Sequence, residues 1–387
     1  MSVIKVNKIE HTGTTAGGIE VDSSGHVQVD GQQLPTAGPL SNRNLFINGA
    51  MQVAQRGTSK TGLTGTSIPT CDRMNWVLNT AGTWTVSQES DGPKGFTKSF
   101  KALCTTADAS PAAGDYAILQ YKVEAQDVQH LNYGTSDALQ MTVSFWVKSN
   151  KTGNASFAIL QTDNSYRQMG NSYTINAANT WEYKTISIPA DTSGVINDDN
   201  GEGFLIEWWS NSGSTFTGGS HSTTWEANAD ANRNASNIGV GQAVNDYWQI
   251  TGIQLEVGEK ATPFEHRSYG DELARCQRYF QKFTGQSSGD YALNGGYTYS
   301  NGNAFATGIN LSCPLRAQPT LGNATTALRV YGQGTNSNIS STQDIGWAEN
   351  ANWVFIGFAL ATDIGGVAHA GALTNIANNT FTLDSEL

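Results

Sequence analysis

The densest group of hard oxygen ligands in the sequence is NDDNGEG, Asn197 to Gly203, where Asp198, Asp199, Asn200 and Glu202 crowd around two glycines. Carboxylate and amide oxygens on a tight turn suit calcium, and the run matches part of an EF-hand loop without its flanking helices. The same residues also make an ordinary hydrophilic hairpin turn. A structural calcium ion is thus the one metal expectation, and no other cofactor is implied. Cleavage of a glycosidic bond would need two carboxylates about 5–10 Å apart. Glu182, Asp198, Asp199, Glu202, Glu207 and Glu226 are available, but an antiparallel sandwich has no spacing rule that brings two of them together. GxSxG and HExxH are absent and the histidines are dispersed, so no catalytic residue is expected and the chain reads as a non-enzyme.

Aromatic residues bring a different chemistry. Sugar rings stack through their CH faces on exposed Trp and Tyr, while amide and carboxylate side chains fix the hydroxyls. Trp225 sits in HSTTWEANADANRNASN, too polar a stretch to bury it by its own neighbours, and Tyr166 lies in TDNSYRQMGNSY. Farther on, Tyr291, Tyr297 and Tyr299 share a Gly/Asn-rich run and Trp347 stands in DIGWAEN. These six are the candidate ligand-binding residues, although a subunit interface would use aromatics in the same way. Trp146, Trp208 and Trp248 occupy strand-like runs and read as core.

The elements that must position these residues are strands. Of 387 residues only 14% are charged and 10% are aromatic, and Gly, Ser, Thr and Asn are plentiful. That mixture favours short strands joined by tight turns. The length exceeds one compact core. The net charge of −11 comes from scattered carboxylates, and no basic patch interleaves with aromatics, which argues against nucleic acid as a partner. No run of eighteen apolar residues occurs and the N-terminus lacks a signal-peptide core, so neither membrane insertion nor signal-dependent export is expected. Cys71, Cys104, Cys276 and Cys313 lie far apart and read as free thiols.

Residues 1–40 alternate apolar and polar at Val3–Glu10, Gly18–Asp22 and His26–Asp30, which predicts three short strands with too few apolar residues to fold alone. Ile4, Val6, Ile19, Val21, Val27 and Val29 form the face that a partner or identical copies must cover. A linker follows at Pro35, Gly38 and Pro39. From Asn44 to Val257, alternating runs such as WTVSQES, YAILQYKVEA, LQMTVSFWVKS, GFLIEWWS and YWQITGIQLEVG predict an antiparallel, jelly-roll-like sandwich over residues 41–267. EAQDVQHL breaks the period of two and predicts a brief helical turn. The segment 268–283 is expected to be one connecting helix, capped by Ser268 with Asp271 completing the cap. Its apolar stripe is Leu273, Cys276, Phe280 and Phe283, and Asp271 pairs with Arg275. Residues 284–387 make a smaller C-terminal β domain, so the fold class is mostly β.

Four stretches, NLFINGAMQVAQRGTS, CDRMNW, VSFWVKS and ITGIQLEVGEKATPFEHRSYGDELARCQRYF, together resemble tail fibre and minor tail proteins of tailed bacteriophages, marine and cyanobacterial ones above all. VNKIEH and GIEVDSSGHVQVDG are similar to the virion-anchoring N-terminus of such fibres. The likeness is specific at Asn44–Ser59 and Ile250–Phe283 and fades after Pro319. It implies a structural virion protein: a homotrimer, assembled in the host cytoplasm, that docks on the tail or on an adaptor protein through residues 1–40. Its β domains would meet a host-surface glycan, lipopolysaccharide or similar, with residues 284–387 as the receptor-binding tip. A tail or baseplate adaptor shares every one of these features and is the alternative, ahead of a polysaccharide depolymerase or a free carbohydrate-binding module.

Overall fold

The computed structural model describes residues 8–9, 18–21, 27–29, 32–33, 42–163, 166–284, 291–299, 304–332, 335–348, 350–364, 370–376 and 379–387. The protein is mostly β and antiparallel throughout these residues, and it divides into two compact units, Met1–Arg267 and Ser268–Leu387. Among the described residues no helix is long and apolar enough to cross a membrane.

At the N-terminus β1 (Lys8–Ile9), β2 (Ile19–Val21), β3 (Val27–Val29) and β4 (Gln32–Gln33) pair in sequence order. The fourth strand was not expected. Ile9 lies opposite Ile19 and Val21 opposite Val27, so these residues share one face, as directly opposed residues of a ladder do. Ile9, Ile19 and Val21 are exposed. Ile4, Val6 and the Pro35–Pro39 linker lie outside the described residues.

The sandwich is built from β5 (Ser59–Ser67), β6 (Asn75–Glu89), β7 (Ser99–Thr106), β8 (Tyr116–Glu124), β9 (Met141–Ser149), β10 (Gly153–Gln161), β11 (Arg167–Ile175), β12 (Glu182–Ile188), β13 (Glu202–Ser212), β14 (Glu226–Ala227) and β15 (Tyr247–Val257). They join in the order β12-β9-β15-β7-β6-β8-β13-β10-β11-β14, with β5 on β6. One strand makes this continuous ladder into two layers. β6 pairs with β8 through Asn75–Thr80 and with β7 through Thr83–Glu89, and between these halves Thr80 and Gly82 adopt left-handed φ of 49° and 82°. A Cβ at Gly82 would run into the Thr106 carbonyl, so glycine permits the crossing. Sequence patterning divides β6 at this crossing and reads Ser59–Ser67 as turns. The structure makes Ser59–Ser67 an edge strand with a mostly exposed pattern, which is how a polar, Gly-containing segment can still pair.

Between the layers lies an aromatic core. Trp208 of β13 stands 5.7 Å from Phe145 of β9 and 5.5 Å from Phe157 of β10. Phe145 also meets Tyr173 of β11 at 5.1 Å, and the Trp248 indole of β15 donates to the Tyr173 hydroxyl at 3.2 Å. Burial pushes the Tyr173 hydroxyl pKa up, outweighing the bond from Trp248, so it stays protonated. EAQDVQHL forms the expected short helical turn, Ala125–Leu131.

The two stretches that carry the resemblance fasten to each other. The Asn44 amide donates to the Ile253 carbonyl at 3.0 Å and accepts from the Leu255 and Phe46 amides. The Asn44 backbone N–H donates to Glu265 at 2.9 Å, and the Arg267 guanidinium donates to the Asn44 and Phe46 carbonyls. Gln254, Glu256 and Thr262 interlock beneath the segment 258–266: Thr262 donates through its N–H at 2.8 Å and its hydroxyl at 2.6 Å to Glu256, and Gln254 accepts from the Glu265 N–H at 2.7 Å. Gln254, Glu256 and Thr262 are buried and bonded to one another, the kind of polar network that fixes one geometry.

In the second unit the expected helix is shorter than its apolar stripe suggested. Ser268 caps it, accepting from the Asp271 N–H at 3.2 Å, and Asp271 pairs with Arg275 at 3.5 Å. The helix runs only Tyr269–Gln277. Phe280 to Thr284 is β16, paired with β24 (Thr380–Asp384), which also pairs with β19 (Thr320–Gly322). On this strand Phe280 and Phe283 fall on opposite faces, and Phe283 stacks on Phe381 at 4.6 Å, so ladder bonds and this contact override the helical spacing. β17 (Tyr291–Tyr299), β18 (Ala304–Asn310), β20 (Leu328–Gly332), β21 (Thr335–Gly346), β22 (Trp353–Leu360) and β23 (Ala370–Asn375) close into a barrel in the order β17-β18-β22-β21-β20-β23. Phe305, Val330, Ile356, Phe358 and Leu373 fill it. All four cysteines are free thiols, Cys313 half-buried and the others buried.

Candidate functional site

The structure does not gather the expected calcium ligands. Asp199 accepts from the Gly201 N–H at 2.8 Å and so closes its own turn, while Glu202 pairs with Lys122 at 2.8 Å in another direction. Asp198 is exposed and Asn200 is half-buried. The backbones of Ala125 and Gln126 bond to the Gly201 and Asp199 carbonyls at 2.9 Å, so the turn is stitched to its neighbour by main-chain bonds. Among the described residues no three His, Cys, Asp or Glu side chains come together as a metal site. Glu207 is fully buried, held by Arg233, Gln120 and Trp209. Glu226 accepts from Gln168 and Asn232. Glu182 accepts the N–H groups of Asn176 and Ala177, each at 2.8 Å, together with Lys184. Burial opposes its ionisation, but these bonds outweigh that and bring its pKa down to about 2.

The aromatic candidates are scattered. Tyr166 is exposed beside β11, with a left-handed φ of 54°. Trp225 is half-buried rather than presented: it packs on Phe204 and Tyr133 at 6.2 and 5.8 Å, and its indole N–H donates to the Pro189 carbonyl at 2.7 Å. The polar stretch around it is covered from distant parts of the chain, which neighbour-by-neighbour reading does not see. Tyr297 is exposed on the outside of the barrel. Tyr299 is half-buried, reaching across to donate to Gln343 at 3.1 Å. Trp347 is half-buried just after β21. The Tyr291 side chain lies outside the described residues.

A cleft that sequence reading missed lies on the outer face of β9, β12 and β15. Its volume is about 450 Å³, and Trp146, Tyr183, Phe96, Phe264, His266 and Ser144 do most of its lining, with Gly252 and the loop Ala261–Pro263. This size falls within the range of small-ligand sites, roughly 300–1,000 Å³. Trp146, expected in the core, is half-buried and faces outward. The reason is strand phase: Val143, Phe145 and Val147 are buried inward, which sends Ser144, Trp146 and Lys148 to the other side. Tyr183 lies opposite Trp146 in the ladder, with ring centroids 5.3 Å apart, and is 44% exposed. Burial and nearby Glu256 raise the Tyr183 pKa although Ser144 offsets them in part, so the hydroxyl remains a neutral donor.

Each wall has a cause. At Gly252 the pairing of β15 with β9 shifts register and φ is 62°. A side chain there would meet Phe96 at 2.7 Å and Trp146 at 3.1 Å; the bulge and its bare glycine leave room for both rings. Phe96 comes from the loop between β6 and β7, and Phe264 and His266 from the segment after β15. Phe96 and Phe264 stand 4.9 Å apart edge to face, and His266 lies 5.3 Å from Phe96. The second wall is anchored from below, since Arg43 donates to the Pro263 carbonyl at 2.7 Å. Glu256 lies beneath it, 2% exposed and saturated. The residues lining the cleft carry no Asp, Glu, Lys or Arg.

No family model matches the sequence, and no curated protein matches it. Among solved structures, the enzymatically active domain of tailspike protein 4 of bacteriophage CBA120 aligns with a TM-score of 0.29 and 13% identity, covering 56% of this chain and 21% of that one. The carbohydrate-binding module TmCBM61, in complex with beta-1,4-galactotriose, gives 0.27 and 12%, covering 56% and 100%. A family 11 carbohydrate-binding module of a cellulosomal cellulase of Clostridium thermocellum gives 0.25 and 14%, covering 58% and 97%. The chain thus overlaps about a fifth of the tailspike domain and nearly the whole of each module. These likenesses are loose.

Proposed function

We propose that this chain is a non-enzymatic glycan-binding protein of the tail-fibre type, which holds a neutral sugar of the host surface in the cleft on β9, β12 and β15. One observation carries the binding half of this reading: the cleft is lined by aromatic rings, hydroxyls and an imidazole and by no Asp, Glu, Lys or Arg. An anionic ligand finds no Lys or Arg there, and a purely apolar one makes no use of the Ser144 and Tyr183 hydroxyls. A pyranose, with apolar CH faces and hydroxyl edges, uses both. With no carboxylate among the lining residues, the cleft binds without cleaving.

The fibre half rests on the resemblance at Asn44–Ser59 and Ile250–Phe283, where the two stretches lock the sandwich shut, and on the exposed apolar face of β1 and β2. In this reading the protein is a homotrimer in the virion and residues 1–40 join it to the tail. Titration calorimetry against a panel of neutral host-surface glycans tests the binding half, with Trp146→Ala as the control. Binding by the wild type and its loss in the variant are expected. A wild-type chain that binds no glycan, yet is incorporated into virions, would instead be a tail or baseplate adaptor. Removing residues 1–40 is expected to leave a soluble fragment that virions do not take up; normal uptake would end the anchoring role.

A further inference from the structure

The aromatic surface does not stop at the cleft. Trp181 precedes Tyr183 by two residues and so lies on the same face of the strand line, about 7 Å farther along. It is half-buried, and the groups around it hold it in place. Lys148 stands 5.0 Å from the centre of its ring. Its indole N–H donates to Asp91 at 3.4 Å. Asp91 also pairs with Lys148 and accepts from Gln249 at 3.4 Å. Burial opposes ionisation of Asp91, but the bonds from Lys148, Trp181 and Gln249 outweigh it and hold the carboxyl below its usual range. The Lys148 side chain is only 13% exposed and its ammonium group sits against the indole ring, while Trp181 itself keeps part of its surface open to solvent.

The turn before Trp181 is fixed as well. Glu182 binds the N–H groups of Asn176 and Ala177 and the Asn176 amide at 2.7–2.8 Å. The loop between β6 and β7 serves both ends of the surface, sending Phe96 into the cleft and Asp91 under Trp181. Charge is present at this far end, but Lys148 and Asp91 pair with each other, the ammonium against the indole ring and the carboxylate at its N–H.

Resting on the glycan reading of the cleft, we infer that the ligand is a linear neutral oligosaccharide, a trisaccharide or longer, which seats one unit against Trp146 and Tyr183 and a later one on Trp181. A terminal monosaccharide would use the cleft and leave the second ring idle. Trp181 is thus the residue that selects chain length.

The test measures affinity for several neutral linear oligosaccharide series, each from one to six units, with wild type, Trp146→Ala, Trp181→Ala and Trp181→Phe. Wild-type affinity is expected to climb between two and four units in the best series. Trp181→Ala should remove about tenfold of affinity for the longer members, leave the shortest within about twofold, and thereby flatten the length dependence. Trp181→Phe should restore part of the climb, and it guards against a misfolded alanine variant. A wild type whose affinity is already complete at one unit overturns the inference while keeping the cleft, as does a Trp181→Ala loss that is equal at every length. Binding that survives Trp146→Ala at every length, or no wild-type binding to any series, overturns the cleft reading itself.

Discussion

β9 presents two unlike surfaces one residue apart. Phe145 points inward to Trp208 and Tyr173 and has no exposed surface; Trp146 points outward to Tyr183 and lines the cleft. Both rings are large and apolar, and both sit in the same run of strand. The difference between them is what covers each: an opposing layer in one case, and two loops that stop short of closing in the other. Under the proposed glycan reading, stability and binding fall to alternate residues of a single strand, and substitutions can separate them.

The largest effect is expected from Phe145→Ala. Emptying that site should cost about 3–5 kcal/mol, read by calorimetric or denaturant unfolding, while glycan affinity of the folded fraction holds. Asn44→Ala comes next. It leaves the Ile253 carbonyl and the Leu255 and Phe46 amides without their partner, a loss of at least about 2 kcal/mol. If Asn44→Ala unfolds at the wild-type midpoint, the two fastened stretches are not what closes the sandwich.

Gly252→Ala attacks the outer face alone. The left-handed φ and the approach of Phe96 and Trp146 predict a cost of about 1–3 kcal/mol, together with weakened glycan binding as the two rings are pushed apart. Unchanged binding would show that the bulge does not shape the cleft. Trp146→Ala should lower affinity by at least about tenfold yet cost no more than about 1 kcal/mol of stability. The reverse pattern would erase the distinction between the faces.

The smallest expected effect is a pH dependence of the inner layer's cover. His221 is half-buried, with its Nε2 3.2 Å from the Ser156 hydroxyl, and burial pulls its pKa below the ordinary value of 6.5. A lowered histidine pKa gives stability that is complete above the unfolded value and declines as pH falls through the folded one. His221→Gln should flatten the unfolding midpoint below about pH 6.5. His130, whose pKa desolvation also lowers, adds a parallel slope.

Much of the fold was legible because period-two alternation is a local signal. The sandwich strands, the short turn at Ala125–Leu131 and the Ser268 cap all follow from nearest neighbours. The site was less legible for two different reasons. Trp146 sits in VSFWVKS, where four apolar residues blur the phase, although Ser144 and Lys148 on either side do mark the outward register. Phe96, Phe264 and His266 come from loops more than 160 residues apart in the chain, and no local pattern announces that they meet. Trp225 failed the other way, since its polar neighbours say nothing of Phe204 and Tyr133 arriving from elsewhere. Phe280 and Phe283 keep a helical spacing that a ladder partner overrides.

The fastening of Asn44 to Arg267 has one more consequence. The chain enters the sandwich and leaves it at the same spot, where the Arg267 guanidinium bonds to the Asn44 and Phe46 carbonyls. A module with adjoining ends can be lifted out, or traded for another of different ligand preference, without asking the flanking sequences to bridge a gap. Recombination at NLFINGAM and at FEHRSY would carry the whole cleft, Trp181 included, as one cassette.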